Sequence, residues 1–354
     1  MRPASPQIGQ WLATSAQRAW ASPAAGYHEG KVSQSLLSES AATMARLFGA
    51  GSARFEPSPG SAVRSAVMDL AASEHFAAVA TSAVDADVVR VAVRQCADAL
   101  GVPHTTLSVD SEGRIDTPSL AAVDRPTILV TNLGNQEIGT LQTDLADWAT
   151  ATGAAVVLDA RCALGWTDLP DYWDALIADP RAWGGPGGAC AVLTRSSAEP
   201  RDVDTEPFDN VPAAVAAALS AEQWMSVAGA ARESARAHLA TIGRRLHHGL
   251  TGIETHGGGP SALPHVLSIS VLYVDAEALQ SALDKRGFGV GSGSACASRS
   301  GEPSHVLAAI GGLTSGNIRV GLPPGLSADT IERFADAVID VVTEVREEMG
   351  TAWL

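Results

Sequence analysis

Ala154-Ala155-Val156-Val157-Leu158-Asp159-Ala160 is apolar at every position except Asp159, which closes the run. A stretch with no polar face reads as a strand buried on both sides, as in a parallel sheet covered by helices. Similar runs flank it at 76–81 (FAAVAT), 105–109 (TTLSV), 127–132 (TILVTN) and 190–194 (CAVLT). Residues 87–100, after Val-Asp-Ala-Asp, and 141–152, after Thr140, read as helices with those polar residues as N-caps. This alternation predicts a doubly wound α/β domain. An Ala-rich helix follows over about 211–248, with Pro212 in its first turn.

Beyond it the pattern changes. A strand at 265–274, helices at 276–286, near 303–310 and at 328–348, and a strand at 317–322 read as a smaller α+β domain. THGGGPSALP (255–264) reads as the hinge. The expected division is a large domain at 25–250 and a small one at 251–354, with residues 1–24 packing on the small one.

With 354 residues, 46% of them hydrophobic and 18% charged, the chain can bury a large core, which excludes a disordered or collagen-like protein. A net charge of −15 argues against nucleic acid and anionic membranes as partners. No apolar run approaches the roughly 18 residues that span a bilayer. The N-terminus lacks the apolar core of a secretory signal. Cys96, Cys162, Cys190 and Cys296 are widely spaced, which favours a reduced, cytoplasmic protein without zinc. No other metal site is expected: His247-His248 reads as solvated and His28 as structural. Of 24 basic residues only Lys31 and Lys285 are lysine, which restricts any amine chemistry.

One cysteine differs from the rest. Cys296 lies in Gly289-Val290-Gly291-Ser292-Gly293-Ser294-Ala295-Cys296-Ala297-Ser298, a polar loop where a reachable thiol can accept or pass on sulfur. SGSACASRSGEPSHVLAAIGG (292–312) closely resembles the active-site signature of cysteine desulfurases, pyridoxal phosphate (PLP) enzymes of the class V aminotransferase family. The resemblance implies that Cys296 is the sulfur acceptor that becomes a persulfide. GNIRVGL (316–322) resembles the family segment whose arginine pairs with the substrate carboxylate, which assigns that role to Arg319.

Weaker matches follow in the right order. Asn135-Gln136-Glu137-Ile138-Gly139 resembles Asn-Asn-Glu-x-Gly, which places Asn135 at the substrate and Gln136 at the cofactor. The run ending at Asp159 resembles the strand whose aspartate meets the pyridine nitrogen. Gly184-Gly185-Pro186-Gly187-Gly188 resembles the turn after the catalytic lysine. The resemblance spans about 25–345. It implies the type I PLP-dependent transferase fold, a mostly parallel large domain with a smaller α+β C-terminal domain, and a homodimer.

The same comparison exposes losses. The His-Lys positions become Arg181 and Ala182. PLP chemistry needs a lysine to join the aldehyde and to move protons, and both lysines lie more than 100 residues away. The phosphate-cupping turn becomes Phe55-Glu56-Pro57-Ser58-Pro59-Gly60-Ser61, where Gly60 replaces a threonine and only Ser58 and Ser61 remain as weak anion donors. The stacking histidine becomes Ala86, the ring-oxygen glutamine becomes Cys162, and Phe208 stands in the segment that reaches the neighbour's phosphate.

The reading is therefore a desulfurase-like chain degenerate for PLP chemistry, a persulfide acceptor or relay through Cys296 or the partner of an active desulfurase. No covalently bound cofactor is expected. One alternative is an active desulfurase or C–S lyase holding PLP non-covalently. A second is a ligand-binding or structural dimer, with Trp183 stacking on a ligand or filling the vacated volume.

Overall fold

The computed structural model describes residues 4–195, 208–292, 304–348 and 350. These form two compact units. The larger takes in the described residues of Met1–Leu107, Leu120–Leu133 and Thr143–Ala228, and the smaller those of Ser108–Ser119, Gly134–Gln142 and Gly229–Leu354.

In chain order the first elements are α1 (Ile8–Arg18), α2 (His28–Leu47), β1 (Ser52–Glu56), α3 (Pro59–Ser73), β2 (Ala78–Ser82), α4 (Asp87–Leu100) and β3 (His104–Leu107). Then come α5 (Thr117–Ala121), β4 (Thr127–Asn132), α6 (Ala146–Thr152), β5 (Ala155–Asp159), β6 (Ala175–Ala178) and β7 (Cys190–Thr194). The last are α7 (Val211–Gly249), β8 (Ile253–Gly257), β9 (Val266–Val271), α8 (Ala276–Lys285), β10 (Gly291–Ser292), α9 (His305–Ile310), β11 (Ile318–Gly321) and α10 (Ala328–Glu348).

The larger unit is built on a sheet in the order β1-β7-β6-β5-β4-β2-β3. β3, β2, β4, β5 and β6 pair in parallel, whereas β7 is antiparallel to β6 and β1 to β7. The reversal at β7 has a simple cause. The eleven residues 179–189, which include the 3-10 turn Pro180–Trp183, separate β6 from β7, and they hold no crossover helix of the kind a parallel pair uses. Strands β4, β5 and β6 are buried at every residue, as their unbroken apolar runs require. On one face, Ala62, Val63, Val67, Val89 and Val93 of α3 and α4 pack on Ile128, Val130, Val157, Ile177 and Val192. Leu129, Val156, Leu158, Leu176 and Leu193, at the alternate strand positions, are equally buried.

The smaller unit carries an antiparallel sheet, β10-β11-β9-β8. Its core joins Ile242 and Leu246 of α7, Ile269 and Val271 of β9, Leu279 and Leu283 of α8, and Phe334, Val338 and Val341 of α10.

Several expectations need correction. Residues 4–24 belong to the larger unit, not the smaller. Ile8, Trp11, Leu12 and Ser15 form the inward stripe of α1, and the Ser5 N–H donates to the Gly184 carbonyl at 2.8 Å. The stretch 255–264 is not simply a hinge, because Thr255–Gly257 completes β8, paired along β9. Thr140 caps no helix: α6 starts at Ala146, and the Thr140 hydroxyl donates to the Glu112 carbonyl. Nor does Asp85 cap α4, whose N-cap is Ala86 with no side-chain bond. Strands β1 and β6 escape the sequence pattern; β1 (SARFE) alternates polar residues, and β6 (ALIA) is very short.

Candidate active site

Parallel sheets present ligand-binding groups beyond the carboxyl ends of their strands. Asn132 ends β4 and pairs in register with Asp159, which ends β5. Asp179 follows β6 directly. Both aspartates are already engaged. Asp159 Oδ1 accepts from Arg161 Nε at 2.7 Å and from the Arg161 N–H at 3.2 Å, while Oδ2 accepts from Nη2 at 2.6 Å. Asp179 repeats the motif two residues before Arg181, accepting its N–H at 3.0 Å and its Nη2 at 2.6 Å.

The first pair is the more enclosed, with side-chain exposures of 8% for Asp159 and 15% for Arg161. Burial works against the Arg161 charge, but the Asp159 carboxylate and its hydrogen bonds more than offset this and push its pKa up. Sequence reasoning missed Arg161. The signal that could have found it was the repeated Asp-x-Arg at 159–161 and 179–181.

Ala182 is half-buried in the 3-10 turn Pro180–Trp183. Trp183 is buried, donates its Nε1–H to Ser220 Oγ at 3.1 Å and lies 5.9 Å from the Phe48 ring. It fills volume. Ala86 leaves no ring at the head of α4. Asp85 beside it is fully buried and accepts from the Ser82 N–H (2.6 Å), the Asn132 N–H (2.8 Å) and Asn132 Nδ2 (2.7 Å). Desolvation nevertheless pushes its pKa up to about 6.

Ser58 and Ser61 form a reciprocal capping box at the start of α3. Ser58 Oγ accepts the Ser61 N–H, and Ser61 Oγ accepts the Ser58 N–H, both at 3.1 Å. An added Cβ at Gly60 would stand 3.5 Å from both Arg64 Nη1 and Val88 Cγ2. Phe208 packs on Phe55, ring centroids 5.8 Å apart. Cys162 is half-buried; Cys96 and Cys190 are buried, and desolvation pushes their thiols up to about 11 and about 12, where little thiolate forms. Lys31 and Lys285 are both exposed.

In the smaller unit, Asn135 Oδ1 accepts the N–H groups of Glu137 (2.8 Å) and Ile138 (3.0 Å), so that oxygen is committed to its own turn. Gln136 is half-buried. Glu137 is buried and accepts from Ser304 Oγ, which also caps α9 through the Leu307 N–H. Burial raises the Glu137 pKa, while the Ser304 bond and the charges of Arg319 and His305 oppose the rise. Arg319 pairs in register with Gly291. A Cβ at Gly291 would lie 3.0 Å from Arg319 Nη2, so glycine lets the guanidinium rest on the β10 backbone. Cys296 lies outside the described residues.

No family model matches the chain. Among curated proteins, "Putative cysteine desulfurase IscS 1" of Bacillus subtilis is 30% identical over 268 residues, covering 68% of this chain and 69% of the relative. The chain belongs to the cysteine desulfurase family. Solved structures agree on the fold of this desulfurase-family chain. A NifS-like protein superposes with a TM-score of 0.82 at 16% identity, over 97% of this chain and all of the other. A cysteine desulfurase from Thermococcus onnurineus, in an apo structure, gives 0.80 at 16% identity over 96% and 92% of the two chains. The desulfurase fold is therefore an α/β unit on a mostly parallel mixed sheet, with a smaller antiparallel sheet beside it in the sequence. Among the described residues, no helix is long and apolar enough to cross a membrane. No cluster of three or more His, Cys, Asp or Glu suited to a metal ion occurs among them.

Proposed function

We propose that this chain is a desulfurase-family protein that has given up PLP chemistry and retains sulfur acceptance at Cys296. The observation that carries the reading is the Asp159–Arg161 pair at a site whose lysine position is Ala182. The residues present do not fit PLP. The carboxylate assigned to the ring nitrogen is held bidentately by Arg161. The hydroxyls assigned to the phosphate bond each other's backbone. Neither lysine is within reach in sequence, and no ring stands at Ala86. Without its charge-assisted hydrogen bonds, a phosphate binds more weakly by about 1.5–3 kcal/mol for each.

Cys296 then takes sulfur from a persulfide made elsewhere. Its thiolate attacks the outer sulfur of R–S–SH, the old S–S bond breaks as the new one forms, and R–S⁻ leaves with the proton balance unchanged. The exchange needs no external oxidant. Arg319, in register with Gly291, supplies a guanidinium for a carboxylate on the donor. The donor is an active family member or a small persulfide, and the chain acts as a dimer, with itself or with that partner.

The test uses the full chain. It is treated with PLP and borohydride, and separately with a low-molecular-weight persulfide, and both products are mapped by peptide mass spectrometry. The expected result is no pyridoxyl adduct on Lys31 or Lys285 and one added sulfur on Cys296, lost in Cys296→Ala. Sulfide released from L-cysteine in the presence of PLP would establish the active-enzyme reading instead.

A further inference from the structure

We infer that Arg161 is the resident counter-ion at the carboxyl end of β5: it has taken the Asp159 carboxylate for itself, so restoring a lysine at position 182 does not by itself restore cofactor binding. This rests on the cofactor-free reading and deepens it by naming a residue that keeps the group out.

The geometry supports it in three ways. Both Asp159 oxygens are engaged, at 2.6 and 2.7 Å, by a planar fork whose shape matches the carboxylate. The partners are two residues apart, so opening the pair releases almost no loop entropy. Any ring nitrogen that claimed Asp159 would leave Arg161, itself only 15% exposed in its side chain, without its closest anion. The neighbouring strand end is closed the same way by Asp179 and Arg181. The arrangement thus follows from how each strand leaves the sheet, with an aspartate turned back on the N–H and guanidinium of the second residue on.

Ala182 is half-buried, so its position is not sealed against a longer side chain. A lysine there would supply the amine while Asp159 stayed paired with Arg161. The missing lysine and the Arg161 pair are therefore separable losses.

Wild type, A182K, the double variant R161Q/A182K and the volume-matched double R161M/A182K are each mixed with PLP, reduced with borohydride and mapped for adducts. Melting transitions establish which variants fold. The expected result is little adduct at position 182 in A182K, and about tenfold more or better in a folded double variant. Equal trapping in A182K and the doubles overturns the inference, as do folded doubles that trap no more than A182K. An adduct on Lys31 or Lys285 in wild type is a distinct result: it defeats the cofactor-free reading, while A182K against the doubles still decides the role of Arg161.

Discussion

The strand ends of the larger unit and the β10–β11 edge of the smaller unit have met different fates. At the first, each charged side chain is satisfied by a neighbour two residues away, as in Asp159–Arg161 and Asp179–Arg181. At the second, Arg319 rests on the glycine backbone of β10, and buried Glu137 ties to Ser304 at the head of α9. The difference teaches that a sheet can keep its buried core while the charged groups at its strand ends settle on local partners. The sheet is held by β4, β5 and β6, buried at every residue, and these runs tolerate any polar residue just beyond them that finds a partner.

That contrast can be broken most forcefully at Arg161. Arg161→Gln should cost about 3–5 kcal/mol, because it strands a buried carboxylate, whereas the double variant Asp159→Asn/Arg161→Gln should be close to neutral. Denaturant midpoints for wild type, the two single variants Asp159→Asn and Arg161→Gln, and the double variant complete the cycle. Equal losses in single and double variants would mean that the pair is not coupled.

The next effect is a pH dependence in the larger unit. Asp85 titrates at about 6 in the folded chain against 3.8 ordinarily. A raised acid pKa means that the folded state binds the proton more tightly. Its contribution to stability is thus largest in acid and falls as pH rises from about 4 to about 6, by about 3 kcal/mol in all. Asp85→Asn should flatten that decline in melts taken across the window; an unchanged slope would remove Asp85 as its source.

Smaller effects are expected at the β10–β11 edge. Ser304→Ala removes both the bond to Glu137 and the cap of α9, and should cost about 1–2 kcal/mol in chemical unfolding. A null effect would show that Glu137 does not depend on Ser304. Gly291→Ala meets only the far end of the Arg319 side chain, so stability should stay within about 0.5 kcal/mol while persulfide loading of Cys296 falls. Full loading in that variant would separate Arg319 from sulfur acceptance.

Much of the architecture could be read without coordinates. The runs at 127–132 and 190–194 are β4 and β7, and 87–100 and 328–348 are α4 and α10. Each has an unambiguous period or an unbroken apolar run. The elements that escaped are those whose residues owe their conformation to a partner. β1 is a polar edge strand defined by pairing with β7, and Thr255–Gly257 became strand because β9 lies alongside. In the candidate site, Ala182 and Arg319 were named from the sequence, whereas Arg161 was passed over although it stands two residues after Asp159.

The amino-acid order alone determined that Lys31 and Lys285 are the only side-chain amines, and that the buried runs recur in the rhythm of an α/β sheet. Counting and periodicity need no geometry. Tertiary structure alone decided that Trp183 fills core beside Ser220 and Phe48, and that Gly291 gives Arg319 its resting place. Those outcomes depend on where strands end and which atoms come within hydrogen-bonding distance there, and spacing along the chain does not specify either.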